Sequence, residues 1–288
     1  MVVLVLCALA SVLTTVGIIV ALAGPTIEFF REVSPLEFFS AAEWAPTFSP
    51  ASFGVLSIVV GTLNVTLWAV LIGLPLGLGA AIFMSEYASP RVRRVVKPVL
   101  EVLEGIPTVA YGFFALTFIT PLIRDNWPGF LGEPPGIFSA GAAGIVLGVM
   151  IVPTVASISE DAMSAVPQGL REGAYALGAT KRTVAMRVVV PAALSGIVAS
   201  FVLGISRAIG ETILVLIAAG NTPNLTLSPV ESIQTMTAFI ATTATGDIGT
   251  GTIEYKTIFA VGALLFLMTL SMNVISSWLV RRYREIYE

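Results

Sequence analysis

Six apolar segments, each long enough to cross a bilayer as a helix, limit what this chain can fold into. They lie at residues 1–24, 54–84, 99–123, 137–158, 193–220 and 254–280. A hydrocarbon core of ~30 Å takes about 20 apolar residues in an α-helix. A helix is favoured there because it satisfies its own backbone N–H and C=O groups where no water can. Composition agrees: 56% of the 288 residues are hydrophobic and 11% are charged, against roughly 25% charged in soluble domains. The expectation is a single all-α integral membrane domain over 1–288. The second segment is longer than a bilayer requires, so it is expected to tilt, kink or project. Leu74-Pro75-Leu76-Gly77 is the candidate kink.

The distribution of charge orients these spans. Arg91, Arg93, Arg94 and Lys97 lie between the second and third segments. Arg171, Lys181, Arg182 and Arg187 lie between the fourth and fifth. Arg281, Arg282 and Arg284 come after the sixth, so eleven of the fifteen basic residues share one side. By the positive-inside rule that side is the cytoplasm, which places both termini there in a bacterial cytoplasmic membrane. The opposite loops carry nine carboxylates against Arg31, Arg124 and Lys256. That acidic face would not draw a bare anion inward. Trp44, Trp127, Phe29, Phe30, Phe38 and Phe39 are expected to form an aromatic belt on that side. Ala21-Leu22-Ala23 looks like a signal-peptidase site, but the segment lacks a basic head and is too long for a typical signal peptide. A retained first helix is expected, and the missing basic head suggests a longer natural reading frame.

Several function classes fall away. There is no histidine, which removes imidazole catalysis and the commonest transition-metal ligand. The one cysteine, Cys7, cannot form an internal disulfide. No basic run suits nucleic acid, and no convergent carboxylate cluster suits an enzyme. No G-x4-G-K-[ST] motif occurs, so this chain is expected to hold no cofactor.

The polar insert 159–192 needs its own account. Leu170, Ala174 and Leu177 repeat at helical spacing. Gly178 suits a left-handed cap and Thr180 an N-cap, and a second helix is expected to end before Pro191. The period alone would also suit an amphipathic loop resting on the membrane. Glu172, Gly173 and Ala174, with Gly178 six residues after Glu172 and Pro191 thirteen after that, add a spacing. This resembles the EAA loop of bacterial ABC-importer permeases, E-A-A-x3-G-x9-I-x-L-P. The departures are Gly173 for Ala at the motif's second position, Val188 for Ile and Val190 for Leu. The resemblance implies a cytoplasmic coupling helix that docks on a separate ATPase, with ATP and Mg handled there.

The resemblance extends further. The stretches at 53–88, 96–116 (VKPVLEVLEGIPTVAYGFFAL), 206–220 (SRAIGETILVLIAAG), 231–241 and 278–288 are similar to the PstC permeases of phosphate-specific ABC importers. The sister PstA permeases share the design; the 96–116 and 231–241 stretches and the tail favour PstC. The fold implied is a six-helix, MetI-like type I importer permease. Its implied partners are a PstA-like permease, two PstB-like ATPases and a PstS-like phosphate-binding protein, with phosphate as cargo.

Arg207 and Glu211 fall within the fifth apolar segment. Charges in mid-span are costly and usually face a bundle interior or a water-filled path. Four residues apart on one helix, they are expected to pair. Either the pair merely fixes packing, or Arg207 offers its guanidinium fork to an oxyanion and Glu211 weakens that hold. Glu104 and Thr108, at the start of the third span, are further path candidates, although helix-start geometry alone would account for Glu101, Glu104, Gly105 and Pro107. Glu160 and Asp161 are expected on a solvated face. An ion-driven secondary transporter would also explain six spans, but not the Glu172–Gly178–Pro191 spacing. Sulfate or molybdate would suit Arg207 as well as phosphate does.

Overall fold

A computed structural model describes residues 1–283, so Arg284 and the rest of the tail lie outside the described residues. The fold is all-α apart from one short β-ladder. α1 (Val2–Glu32) and α2 (Pro35–Ser40) precede β1 (Trp44–Ala45) and β2 (Ser52–Phe53), an antiparallel pair with Trp44 opposite Phe53. Then come α3 (Leu56–Tyr87), α4 (Pro90–Glu104), α5 (Thr108–Asp125) and α6 (Ala140–Ser164). A polar pair comes next, α7 (Gln168–Ala176) and α8 (Lys181–Ala192). The chain ends with α9 (Leu194–Ile209), α10 (Ile213–Ala218), α11 (Met236–Ala244) and α12 (Ile253–Tyr283).

α1, α3, α6 and α12 each contain an uninterrupted stretch long and apolar enough to cross a membrane. Two further candidates are bent pairs: α4 meets α5 at 89°, and α8 meets α9 at 72°. Counting each bent pair once gives six. The breaks arise from local chemistry. Pro107 has no N–H and disfavours helix at Ile106, and Gly105 adds conformational freedom. The expected third span at 99–123 is therefore split, its first six residues belonging to α4. The expected fifth span at 193–220 is broken at Gly210–Thr212, between α9 and α10. α1 continues past residue 24 to Glu32, through Pro25.

Pro191 corrects an expectation. The helix does not end before it; α8 runs through to Ala192. A π-helical turn at Ala185–Val189 comes immediately before Val190-Pro191. The wider turn shifts the hydrogen-bond register, so the missing proline donor and its ring are accommodated. α5 uses the same device, with a π-turn at Ala115–Ile119 before Thr120-Pro121.

α3 and α6 form the centre by packing through small residues. A Cβ on Gly73 would come within 2.7 Å of the Gly148 carbonyl oxygen, and one on Gly144 within 2.4 Å of Trp68 Cβ. Glycines four apart on each helix thus let the backbones approach, the usual basis of helix association in lipid. α9 packs on both, and α1 reaches the bundle through α12.

The expected aromatic belt is in large part a core. Phe29, Phe38 and Trp44 are buried, with Phe53 and Phe239 in the same cluster. Edge-on contacts link Phe29 to Phe38 and Trp44 to Phe239. α2 and the ladder fold back over the ends of α1 and α12 and enclose the rings. Phe39 stays exposed.

Candidate functional site

Glu104, Thr154 and Arg207 converge from three helices. Glu104 is the last residue of α4, just before the break. Thr154 comes after Pro153 in α6. Arg207 lies in the last turn of α9, where a cation is favoured by the helix dipole. Arg207 Nη1 donates to Glu104 Oε1 at 2.6 Å and to Thr154 Oγ1 at 3.0 Å. The Thr154 hydroxyl donates to the same carboxylate oxygen at 2.9 Å. The Arg207 and Glu104 side chains are 32% and 39% exposed, so the pair is open on one side. Arg207 Nη2 and Nε have no partner among the described residues, which leaves one edge of the fork unused. Nearby, the Tyr111 hydroxyl donates to the Leu103 carbonyl at 2.8 Å and so steadies the end of α4.

Arg207 and Glu211 do not pair as expected. The helix stops at Ile209, so residues 207 and 211 no longer share a helical face. Glu211 instead accepts a hydrogen bond from the Leu214 N–H at 3.2 Å, and its carbonyl accepts one from the Thr237 hydroxyl at 2.7 Å. It caps α10 and ties the break to α11. Thr108 opens α5, half-buried, with no polar contact among the described residues.

Sequence reasoning missed two ion-pair networks toward the basic end. The Glu160 side chain, expected in solvent, is fully buried. It binds the Arg93 guanidinium, the Lys97 ammonium at 3.0 Å and the Ser164 hydroxyl. Lys97 also reaches Asp161 at 2.7 Å. The Asp161 hydrogen bond, aided by Glu160 against desolvation, holds the Lys97 amine above its ordinary range. These contacts fix the first half of α4, ahead of the expected span at 99–123, against α6. The second network centres on Arg171 in α7. It donates to the Val166 and Met163 carbonyls at 2.5 and 2.8 Å, and to the Glu86 carboxylate at the end of α3 at 3.1 Å. The available signal was a carboxylate inside or at the end of a long apolar run, which calls for a basic partner.

The polar pair α7–α8 closes with a Schellman motif. Gly178 has φ +81, its N–H binds the Tyr175 carbonyl, and the Ala179 N–H binds the Ala174 carbonyl. Thr180 caps α8 by accepting from the Thr183 N–H. Glu172, Gly173 and Gly178 are exposed, and Ala174 packs against the apolar cluster beneath. Leu177 is almost wholly exposed at the tip. Pro191 lies on the continuing helix, exposed. A Cβ at position 178 would meet nothing, so a substitution there costs backbone conformation alone, about 1–2 kcal/mol. Gly178→Val is therefore expected to destabilise the protein by about that amount, whereas Gly178→Asn, which tolerates the left-handed region, costs less. Equal thermal unfolding of the two variants would show that the turn does not depend on its left-handed backbone.

The comparisons with known proteins agree with this architecture. The family model described as binding-protein-dependent transport system inner membrane component matches residues 73–285. The probable ABC transporter permease protein YqgH of Bacillus subtilis is 39% identical over 278 residues, covering 96% of this chain and 88% of that protein. The phosphate transport system permease protein PstC of Xylella fastidiosa is 32% identical over 266 residues, covering 87% and 80%. Among solved structures, the inward-facing MetNI methionine ABC transporter aligns with a TM-score of 0.56 at 21% identity, covering 81% of this chain and 95% of that one. The fold is therefore the multi-spanning, all-α, MetI-like architecture of type I importer permeases.

Proposed function

The chain belongs to the family of binding-protein-dependent transport system inner membrane components, and on that basis we propose that it is the permease subunit through which an ATP-driven importer moves inorganic phosphate. As a family member it is a transport protein of the inner membrane and not an enzyme. In this reading a second PstA-like permease completes the path, two PstB-like ATPases supply the work, and a PstS-like binding protein delivers the anion. The end carrying Arg93, Lys97 and Arg171 faces the cytoplasm by the positive-inside rule. α7 and its glycine turn then form the surface that meets the ATPase, through Glu172, Gly173 and Ala174.

The observation that carries the reading is the half-used fork of Arg207. A planar guanidinium with free donors matches a tetrahedral oxyanion. Glu104 holds the other side of the group and competes with the anion. Binding stays weak enough for release, as a conduit requires. Glu104 comes just before the break between α4 and α5, and Arg207 just before the break between α9 and α10; irregular backbone at membrane depth is tolerated beside protein or a water-filled cavity. The named PstC relative supports phosphate as the cargo. The acidic opposite end, where Glu28 and Glu32 share Lys256, suits delivery by a docked protein better than capture of a free anion.

The test is ATP-dependent uptake by proteoliposomes holding this chain with its partner permease, ATPase and binding protein. Radiolabelled phosphate is expected to accumulate, with sulfate and molybdate excluded. The fork would suit all three anions, so accumulation of sulfate or molybdate in place of phosphate would overturn the substrate assignment and leave the permease role intact.

A further inference from the structure

A cavity of about 360 Å³ opens between β1, the loop after α10 and the last turns of α11. α3 begins beside the ladder that carries Trp44 and ends before Arg93, so this cavity and the basic end lie on opposite sides of the bundle. Trp44, Asn221, Gln234, Phe239 and Thr243 line it, and no charged side chain does. Clefts that take small molecules run from about 300 to 1,000 Å³. Trp44, Gln234 and Thr243 are only 3%, 6% and 7% exposed, yet their hydrogen-bonding capacity is not used up. The Trp44 indole Nε1 is buried with no acceptor among the described residues. Gln234 Nε2 donates to Asn221 Oδ1 at 2.7 Å, which leaves the Asn221 NH2 and the Gln234 side-chain carbonyl free. Thr242 bonds back to the Ala238 carbonyl, whereas the neighbouring Thr243 hydroxyl has no partner among the described residues.

We propose that this cavity is an entry subsite for a tetrahedral oxyanion, reached before Arg207. Trp44, Asn221 and Thr243 present three donors. An oxyanion offers acceptor oxygens on every side, and hydrogen bonds to an ionised acceptor are stronger than neutral ones. The single free carbonyl, from Gln234, suits an oxyanion that keeps a proton, as inorganic phosphate does near neutral pH. With no Arg or Lys in the lining, the hold is weaker than that of the Arg207 fork, so the anion can move on. The order follows from the chain. α9 rises from the basic end and carries Arg207 in its last turn, so the break at Gly210–Thr212 lies on the outer side of that arginine. The Thr237 hydroxyl, three residues after Gln234, donates to the Glu211 carbonyl at this break. The base of the cavity is thereby joined to the stretch next to Arg207. Glu43 and Asp247, exposed beside the lining residues Trp44 and Ile248, would repel an anion arriving from free solution. The inference rests on the proposed permease reading and gives its cargo a second point of contact.

The experiment compares variants in proteoliposomes that hold this chain with its partner permease, ATPase and binding protein, with radiolabelled inorganic phosphate as the probe. Asn221→Asp is nearly isosteric and still accepts from Gln234 Nε2, but it turns the free NH2 into a carboxylate oxygen. Phosphate moved per ATP is expected to fall about tenfold or more, since a donor to the anion becomes a like charge. Thr243→Val keeps the shape and removes one donor, and a fall of several-fold is expected. Thr243→Ser restores the hydroxyl and with it most of the transport, which a packing role would not do. The binding-protein concentration that half-saturates ATPase stimulation is expected to stay at the wild-type value in these variants. A shift in that concentration large enough to account for the lost uptake would make the cavity part of the docking surface and overturn the subsite. Wild-type phosphate per ATP in Asn221→Asp and Thr243→Val would overturn it as well; slow uptake by Arg207→Ala in the same assay would then leave the permease reading standing. Absence of phosphate uptake in the wild-type assembly would remove that reading and the subsite together.

Discussion

Arg207→Ala is expected to slow the proposed phosphate uptake by about one to two orders of magnitude while the assembled transporter continues to hydrolyse ATP. On the proposed path the arginine supplies the charge-assisted hydrogen bonds that replace part of the anion's hydration. Such bonds are worth roughly 1.5–3 kcal/mol net, so the loss should slow transit by about one to two orders of magnitude. Folding should suffer far less. The partner left behind, Glu104, is 39% exposed and can be hydrated, and Thr154 still donates to it. Arg207→Lys keeps the charge and loses the fork, so an intermediate rate is expected. Glu104→Gln removes the competing carboxylate, and the anion should bind more tightly and leave more slowly. Uptake and ATP hydrolysis in the same proteoliposomes separate these effects. Transport at the wild-type rate by Arg207→Ala would remove the guanidinium from the path.

Arg171→Ala is expected to destabilise the transporter more than any other single surface-loop substitution. The side chain looks like part of an exposed cytoplasmic loop in the sequence, yet its pair with Glu86 has exposures of only 10% and 5%. Removing the arginine leaves the Glu86 carboxylate with only the Ser85 hydroxyl, and leaves the Met163 and Val166 carbonyls without this donor. Breaking a buried pair from one side costs about 3–5 kcal/mol, which corresponds to a fall in Tm on the order of ten degrees. The double variant with Glu86→Ala should recover part of that loss, since no buried charge is then stranded. Recovery stays incomplete because the Val166 carbonyl loses its arginine donor and the Met163 carbonyl keeps only the Val166 N–H. Thermal unfolding of the purified transporter gives the cycle directly. A double variant whose loss equals the sum of the two single losses would show that the residues do not act together. This contact also ties α7 to the end of α3, and so joins the polar pair to the span bundle.

Much of this molecule is legible from its residues because lipid is a demanding solvent. A spanning segment must satisfy its own backbone, so apolar length reports helices without knowledge of the partners. The turn at Gly178 is legible for a similar reason: a left-handed cap needs a residue without a Cβ, and the Schellman bonds are local. The departures share a cause as well. Pro191 does not end its helix, because a π-turn just before it absorbs the missing donor. Arg207 and Glu211 would pair only on an unbroken helix, and the chain breaks between them. Phe29, Phe38 and Trp44 read as a lipid interface because nothing local shows that α2 and the ladder fold over them.

Composition and short-range pattern were enough for the apolar segments, the basic and acidic ends, the helix–turn–helix with its glycine cap and the family likeness. All of these depend on residues close in the chain. Which charges meet was a matter for the packed helices alone. Arg207 finds Glu104 across 103 residues, Arg171 finds Glu86 across 85, and Arg93 finds Glu160 across 67. A buried charge announces that it needs a partner, because its desolvation must be offset. Which partner it takes depends on the rotation and depth at which two helices pack, and here small residues along α3 and α6 set that geometry.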